Sequence, residues 1–143
     1  MVRGVIWMKI NQTQIDQIVN YLAKKISPYV IILFGSGVKG TMTQDSDIDI
    51  AFLTDKKLSD YETFMMAQEL ADMLGREVDL VNLKNASTVF RAQVVATGKV
   101  IYDKDPQRRM VFQMNAFKEY SKLNEERQCI FDKLQERGSM YDS

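Results

Sequence analysis

Two neighbouring segments decide the fold: Tyr29-Val-Ile-Ile-Leu-Phe-Gly-Ser36 and, after ten intervening residues, Asp47-Ile-Asp-Ile-Ala-Phe-Leu53. The first is a short apolar run rich in β-branched and aromatic residues, as a buried strand requires, and it runs into the glycine-punctuated turn Gly35-Ser-Gly-Val-Lys-Gly40. The second begins with strict alternation, so the side chains of Asp47 and Asp49 leave the same face of a strand two residues apart. Glu77-Val-Asp-Leu-Val-Asn82 reads as a third strand, with Val78 and Leu80 facing one way and Glu77 and Asp79 the other.

Helices are legible around these strands. Ile15, Ile18, Val19, Leu22 and Ile26 follow helical spacing from about Gln12 to Lys25, ended by Ser27-Pro28. Ser59-Asp-Tyr-Glu62 has the form of a capping box, and Gly75 stands where a C-cap glycine belongs. Ser87 or Asn85 caps a short helix that runs to Gly98, and Val100-Ile-Tyr102 is a last strand. Asp105-Pro106 then opens a long helix carrying Met110, Met114, Phe117, Tyr120, Leu123, Ile130 and Leu134. The expectation is an α/β protein: a small mixed sheet flanked by helices, with one domain over residues 10–104. A C-terminal amphipathic helix over residues 105–138 packs on that domain or on a partner. We read Phe117, Tyr120 and Phe131 first as core and second as a docking surface, and the methionines Met65, Met66, Met73, Met110 and Met114 as core filler.

Composition narrows the chemistry. The chain has 143 residues, 19 basic and 19 acidic side chains, one cysteine and no histidine. No Ser-His-Asp triad, Cys-His pair, zinc finger or disulfide can form within it, so any metal must be held by oxygen ligands and is a hard ion such as magnesium. Zero net charge and a pI near 6.3 provide no field for a nucleic-acid backbone or an anionic membrane, and direct nucleic-acid or membrane binding is not expected. Residues 1–10 lack a signal-peptide pattern, which points to the cytoplasm, and Met8-Lys9 is a second candidate start. Cys129 reads as a bystander thiol.

The chemistry-bearing constellation is therefore Gly35, Ser36, Asp47, Asp49 and Asp79. A glycine and a serine directly after a buried strand let backbone N–H groups and a hydroxyl approach phosphate oxygens. Three carboxylates converging on one sheet face repel one another unless a cation or a proton intervenes, and together they can hold two magnesium ions. Lys39 is either a phosphate contact or a solvated loop lysine.

Gly35-Ser36, ten intervening residues and Asp47-x-Asp49, with Asp79 following, resemble over about Tyr29 to Tyr102 the minimal nucleotidyltransferase domain of the DNA polymerase β superfamily. More narrowly, Leu33-Phe-Gly-Ser36, Ser46-Asp-Ile-Asp-Ile50, Val78-Asp-Leu-Val81 and Ala86-Ser-Thr-Val89 with Gln93-Val-Val95 resemble the MntA-type antitoxins of HEPN/MNT toxin–antitoxin systems. The resemblance implies a nucleotidyltransferase fold and transfer of AMP from ATP, with two Mg2+, to a tyrosine of a cognate HEPN RNase toxin. It also implies that Gly35 and Ser36 hold the triphosphate and that Asp47 and Asp49 ligate both ions. Asp79 would ligate the catalytic ion and help deprotonate the acceptor. Many relatives read G-S-R-x-R-G, whereas Gly37 and Lys39 stand here, which removes one bidentate phosphate partner and leaves a point charge.

The acceptor follows from what is missing. After Lys104 only one helix remains, so no second domain forms a groove for a template or a deep pocket, and a separate protein chain is the economical acceptor. Two alternatives stand: an antitoxin that blocks its toxin by contact alone, and a small-molecule transferase of the aminoglycoside-inactivating kind, hinted at only by Glu77.

Overall fold

The structure is a computed structural model that describes residues 10–35 and 46–141, with side chains through Arg137. Ser36, Gly37, Lys39 and the alternative starts Met1 and Met8 lie outside the described residues.

The chain opens with α1 (Gln12–Ile26), whose N-cap Asn11 forms a reciprocal capping box with Gln14. Next come β1 (Val30–Phe34) and β2 (Ile48–Leu53). Helix α2 (Asp60–Leu74) is bounded as its sequence foretold, by a Ser59/Glu62 capping box and by Gly75 at a φ of 67°, whose N–H donates to the Ala71 carbonyl at 2.8 Å. After β3 (Val78–Asn82) and a single 3-10 turn, Ser87 rather than Asn85 caps α3 (Thr88–Thr97). Strand β4 (Lys99–Asp103) leads to the long α4 (Pro106–Tyr141).

The strands form one sheet in the order β3-β2-β1-β4. The β1 strand runs antiparallel to both β2 and β4, whereas β2 and β3 are parallel, because a helix rather than a hairpin connects them. Both faces are covered. Ile31, Leu33, Ile48, Ile50, Phe52 and Leu80 pack against α1 and α2 through Ile18, Leu22, Ile26, Met66 and Leu70. Val30, Ile32, Ala51 and Leu53 form the second cluster with Leu83, Val94 and the partly buried Phe34, Phe90 and Phe112. Two-sided burial explains why β1 reads as an unbroken apolar run.

Two core assignments are corrected. The α4 side chains turned toward the domain are Phe112 and Ala116, with Tyr120 and Leu123 half-buried, whereas Phe117 and Phe131 are 44% and 53% exposed. The small Ala116 side chain lets α4 and α3 approach closely, and that contact, rather than the stripe with the largest side chains, selects the inward face. Met110 and Met114, on the outward side, are consequently exposed, and Ile130 and Leu134 are exposed farther along the helix, where every described side chain after Leu123 is. Of the methionines read as filler only Met66 is buried; Met65 and Met73 face solvent. Cys129 is exposed and free. Among the described residues no helix is long and apolar enough to cross a membrane.

Candidate active site

Register brings the carboxylates together. Asp49 lies opposite Phe34 on β1 and opposite Asp79 on β3. Since Phe34 belongs to the face packed by α3, Asp49 and Asp79 emerge side by side on that face, at the spacing of neighbouring strands. Phe34 and Phe90 meet edge to face at 5.5 Å and close the apolar floor beside them.

Gly35 adjoins this pair. Its φ is 74°, and a Cβ there would stand 2.2 Å from Asp49 Oδ2. Only a glycine gives the chain both the left-handed turn and the space for the carboxylate, so the turn after β1 and the acidic strand position are one construction. Asp47 is exposed and immediately precedes β2. Just before it, the Ser46 carbonyl accepts a bond from Arg76 Nη1 at 3.2 Å, which ties the entry of β2 to the turn between α2 and β3. Sequence reading missed this arginine; its position directly after the C-cap glycine was the only signal.

The electrostatics carry a signature. The Asp49 carboxyl is pushed up to about 6, chiefly by burial, then by the charges of Asp79 and Asp47. Asp49 thus senses both acidic neighbours and ionises against its surroundings, a condition that a cation relieves. As they stand, no three acidic side chains among the described residues close into a ready-made metal cage. A groove of about 430 Å³ leads away from Asp79 between α2 and the outer side of β3, lined by Thr63, Phe64, Ala67, Val78 and Leu80 among others. Nothing in the sequence pattern announced it. Glu77 is exposed on the strand end before Val78.

The chain also resembles known proteins in sequence and in fold. Residues 16–107 match the family described as polymerase beta nucleotidyltransferase. Protein adenylyltransferase MntA of Shewanella oneidensis is 42% identical over 103 residues, 72% of this chain and 73% of that protein. A solved toxin–antitoxin structure with AMP-PNP superposes with a TM-score of 0.77 at 38% identity, covering 85% of this chain and 98% of the other. The complex of a tri-AMPylated Shewanella oneidensis HEPN toxin with an MNT antitoxin gives 0.73 at 35% identity, over 88% and 99%.

Proposed function

Because the chain belongs to the polymerase beta nucleotidyltransferase family, we propose that it is a protein adenylyltransferase and antitoxin that transfers AMP from ATP to a tyrosine of a cognate HEPN RNase toxin. The observation that carries this reading is the Asp49–Asp79 register pair set against the Gly35 turn, with the Asp49 carboxyl raised by burial and then by its acidic neighbours. The named relatives supply the acceptor class: one is a protein adenylyltransferase, and another stands in complex with a tri-AMPylated HEPN toxin.

In this mechanism Gly35, Ser36 and Lys39 receive the triphosphate at the end of β1, where backbone donors can approach phosphate oxygens. Asp47, Asp49 and Asp79 suit two magnesium ions, which when bound would neutralise the attacking oxygen and the leaving pyrophosphate. Asp79, the most open of the pair with Asp49, faces the acceptor and takes part in removing its phenolic proton. The tyrosine oxygen forms a bond to the α-phosphorus, the bond from that phosphorus to the α–β bridging oxygen breaks, and pyrophosphate departs. Positioning and charge stabilisation do most of the catalysis.

The exposed apolar side chains of α4 favour a contact role as well. Met110, Met114 and Phe117 on one side near its start, and Ile130, Phe131 and Leu134 farther along, are the exposed side chains by which the antitoxin would hold its partner. The deciding experiment is the intact mass of the HEPN-domain protein after incubation with this chain, ATP and magnesium. A gain of one or more AMP units that disappears with Asp47→Ala/Asp49→Ala is expected. An unmodified toxin bound tightly by both versions would replace transfer with blocking by contact.

A further inference from the structure

The groove beside Asp79 runs along a sheet edge. Its one wall is a single face of α2, including Thr63, Phe64 and Ala67, and its other wall is consecutive residues of β3. Strand β3 is the outermost strand on this side of the sheet among the described residues. Ile48 N–H donates to the Glu77 carbonyl at 2.9 Å, and Ile48 lies opposite Val78, Ile50 opposite Leu80. In a parallel ladder with that register, Glu77, Asp79 and Val81 turn their backbone groups to β2. Val78 and Leu80 direct N–H and C=O outward, where they have no partner among the described residues.

Apart from the charge of Asp79, this edge lacks the usual protections. The segment Val78–Asn82 holds neither proline nor lysine and pairs with β2 without a bulge. The opposite edge strand β4 begins with Lys99, and its pairing with β1 shifts register between Ile31 and Ile32. Open, flat strand edges are templates for another strand.

We infer that the open edge of β3 takes up the tyrosine-bearing segment of the protein acceptor as an added strand, with the tyrosine placed beside Asp79. The inference rests on the protein-tyrosine transfer proposed above and specifies how the acceptor is recognised. A residue opposite Asp79 on an added strand projects its side chain from the same sheet face as Asp79 and Asp49, about 4.8 Å from the neighbouring strand. Its sequence neighbours project to the other face, over the apolar wall of Phe64 and Ala67. Backbone bonds then supply affinity and the alternate side chains supply choice, as in strand addition generally. The occupant is an extended peptide because the free groups recur every second residue; a docked helix would leave them unsatisfied.

The test is residue-resolved amide exchange of the full chain, alone and with the HEPN-domain protein, magnesium and a non-hydrolysable ATP analogue, with AMP transfer from ATP measured in parallel by intact mass. Val78 and Leu80 are expected to gain at least about tenfold protection while Asp79 and Val81, already bonded to β2, stay unchanged. Phe64→Lys, at an exposed position, and Val78→Pro, at the first residue of an edge strand where proline is tolerated, should each slow transfer at low acceptor by about tenfold with ATP affinity retained. Transfer that proceeds with no protection at Val78 and Leu80, or with both variants fully active, would overturn strand addition and leave the transferase reading intact. Protection of the α2 surface alone would overturn it in favour of another docking mode. A complex that forms but never transfers AMP overturns both readings.

Discussion

At residue 35 a single methyl group would collide with the site. An alanine Cβ would meet Asp49 Oδ2 at 2.2 Å on a backbone with a φ of 74°, so the substitution combines strain with displacement of a carboxylate. Gly35→Ala is expected to lower unfolding free energy by about 1–3 kcal/mol and to reduce AMP transfer more than about tenfold, measured by urea denaturation and product mass. Asp49 gives a prediction of the opposite sign. Its folded-state value of about 6 lies above the ordinary 3.8, so the native state holds the proton more tightly than the unfolded chain. Stability is therefore highest below the unfolded value, falls as pH rises between the two values, and stays low above about 6. Asp49→Asn removes that cost: the metal-free variant should be more stable than the parent by about 1 kcal/mol at neutral pH, discounted for the partial exposure of the group. Denaturation curves near about pH 4 should show the advantage gone. The D-x-D spacing was visible in the chain, but the intimacy of Gly35 with Asp49 was not, since it depends on β1 and β2 being paired through Phe34 and Asp49.

Among the elements, helix ends were legible because they are local chemistry. Ser59 with Glu62 and Gly75 bound α2 as expected, and Asp105 caps α4, its carboxylate accepting the Arg108 N–H at 3.2 Å. The start of α4 is fastened further: the Arg108 guanidinium makes two bonds to Asp55, at 2.8 and 2.7 Å, and lies 3.8 Å over the Tyr29 ring. Arg109 Nε donates to Asp103 at 2.6 Å. Which face of α4 turns inward was not legible, because apolar residues occur on more than one side of it and the choice depends on the fit of Ala116 to α3. At a rise of about 1.5 Å per residue the helix extends far beyond a sheet whose strands hold five or six residues, and every described side chain from Asn124 to Arg137 is exposed. Ending the chain after Asn124 should therefore change thermal stability by less than about 0.5 kcal/mol. The same truncation should weaken retention of the HEPN-domain protein if the distal helix holds the partner, as a pull-down at equal concentrations would show.

At the scale of the whole molecule, a sheet covered on both faces holds an acidic group at an energetically unfavourable position. Ion binding should then stabilise the fold by linkage, since a cation bound only to the native state adds RT ln(1 + [L]/Kd), about 2.7 kcal/mol at a hundredfold excess over Kd. Thermal melts should rise with magnesium, return with EDTA, and fail to respond in Asp47→Ala/Asp49→Ala. The sequence by itself determined the strands and helices, the mixed sheet, the dependence on oxygen ligands, and the identity of Asp47, Asp49 and Asp79 as candidates. Those features rest on short-range rules: side-chain periodicity, capping chemistry, and residue types that are present or absent. Only the tertiary structure decided that Asp49 faces Asp79 in register, that Arg76 anchors the carbonyl before Asp47, that Ala116 chooses the buried side of α4, and that β3 is left with an open edge beside a groove. Each of these depends on strand order and on packing between residues distant in the chain, which local pattern does not encode.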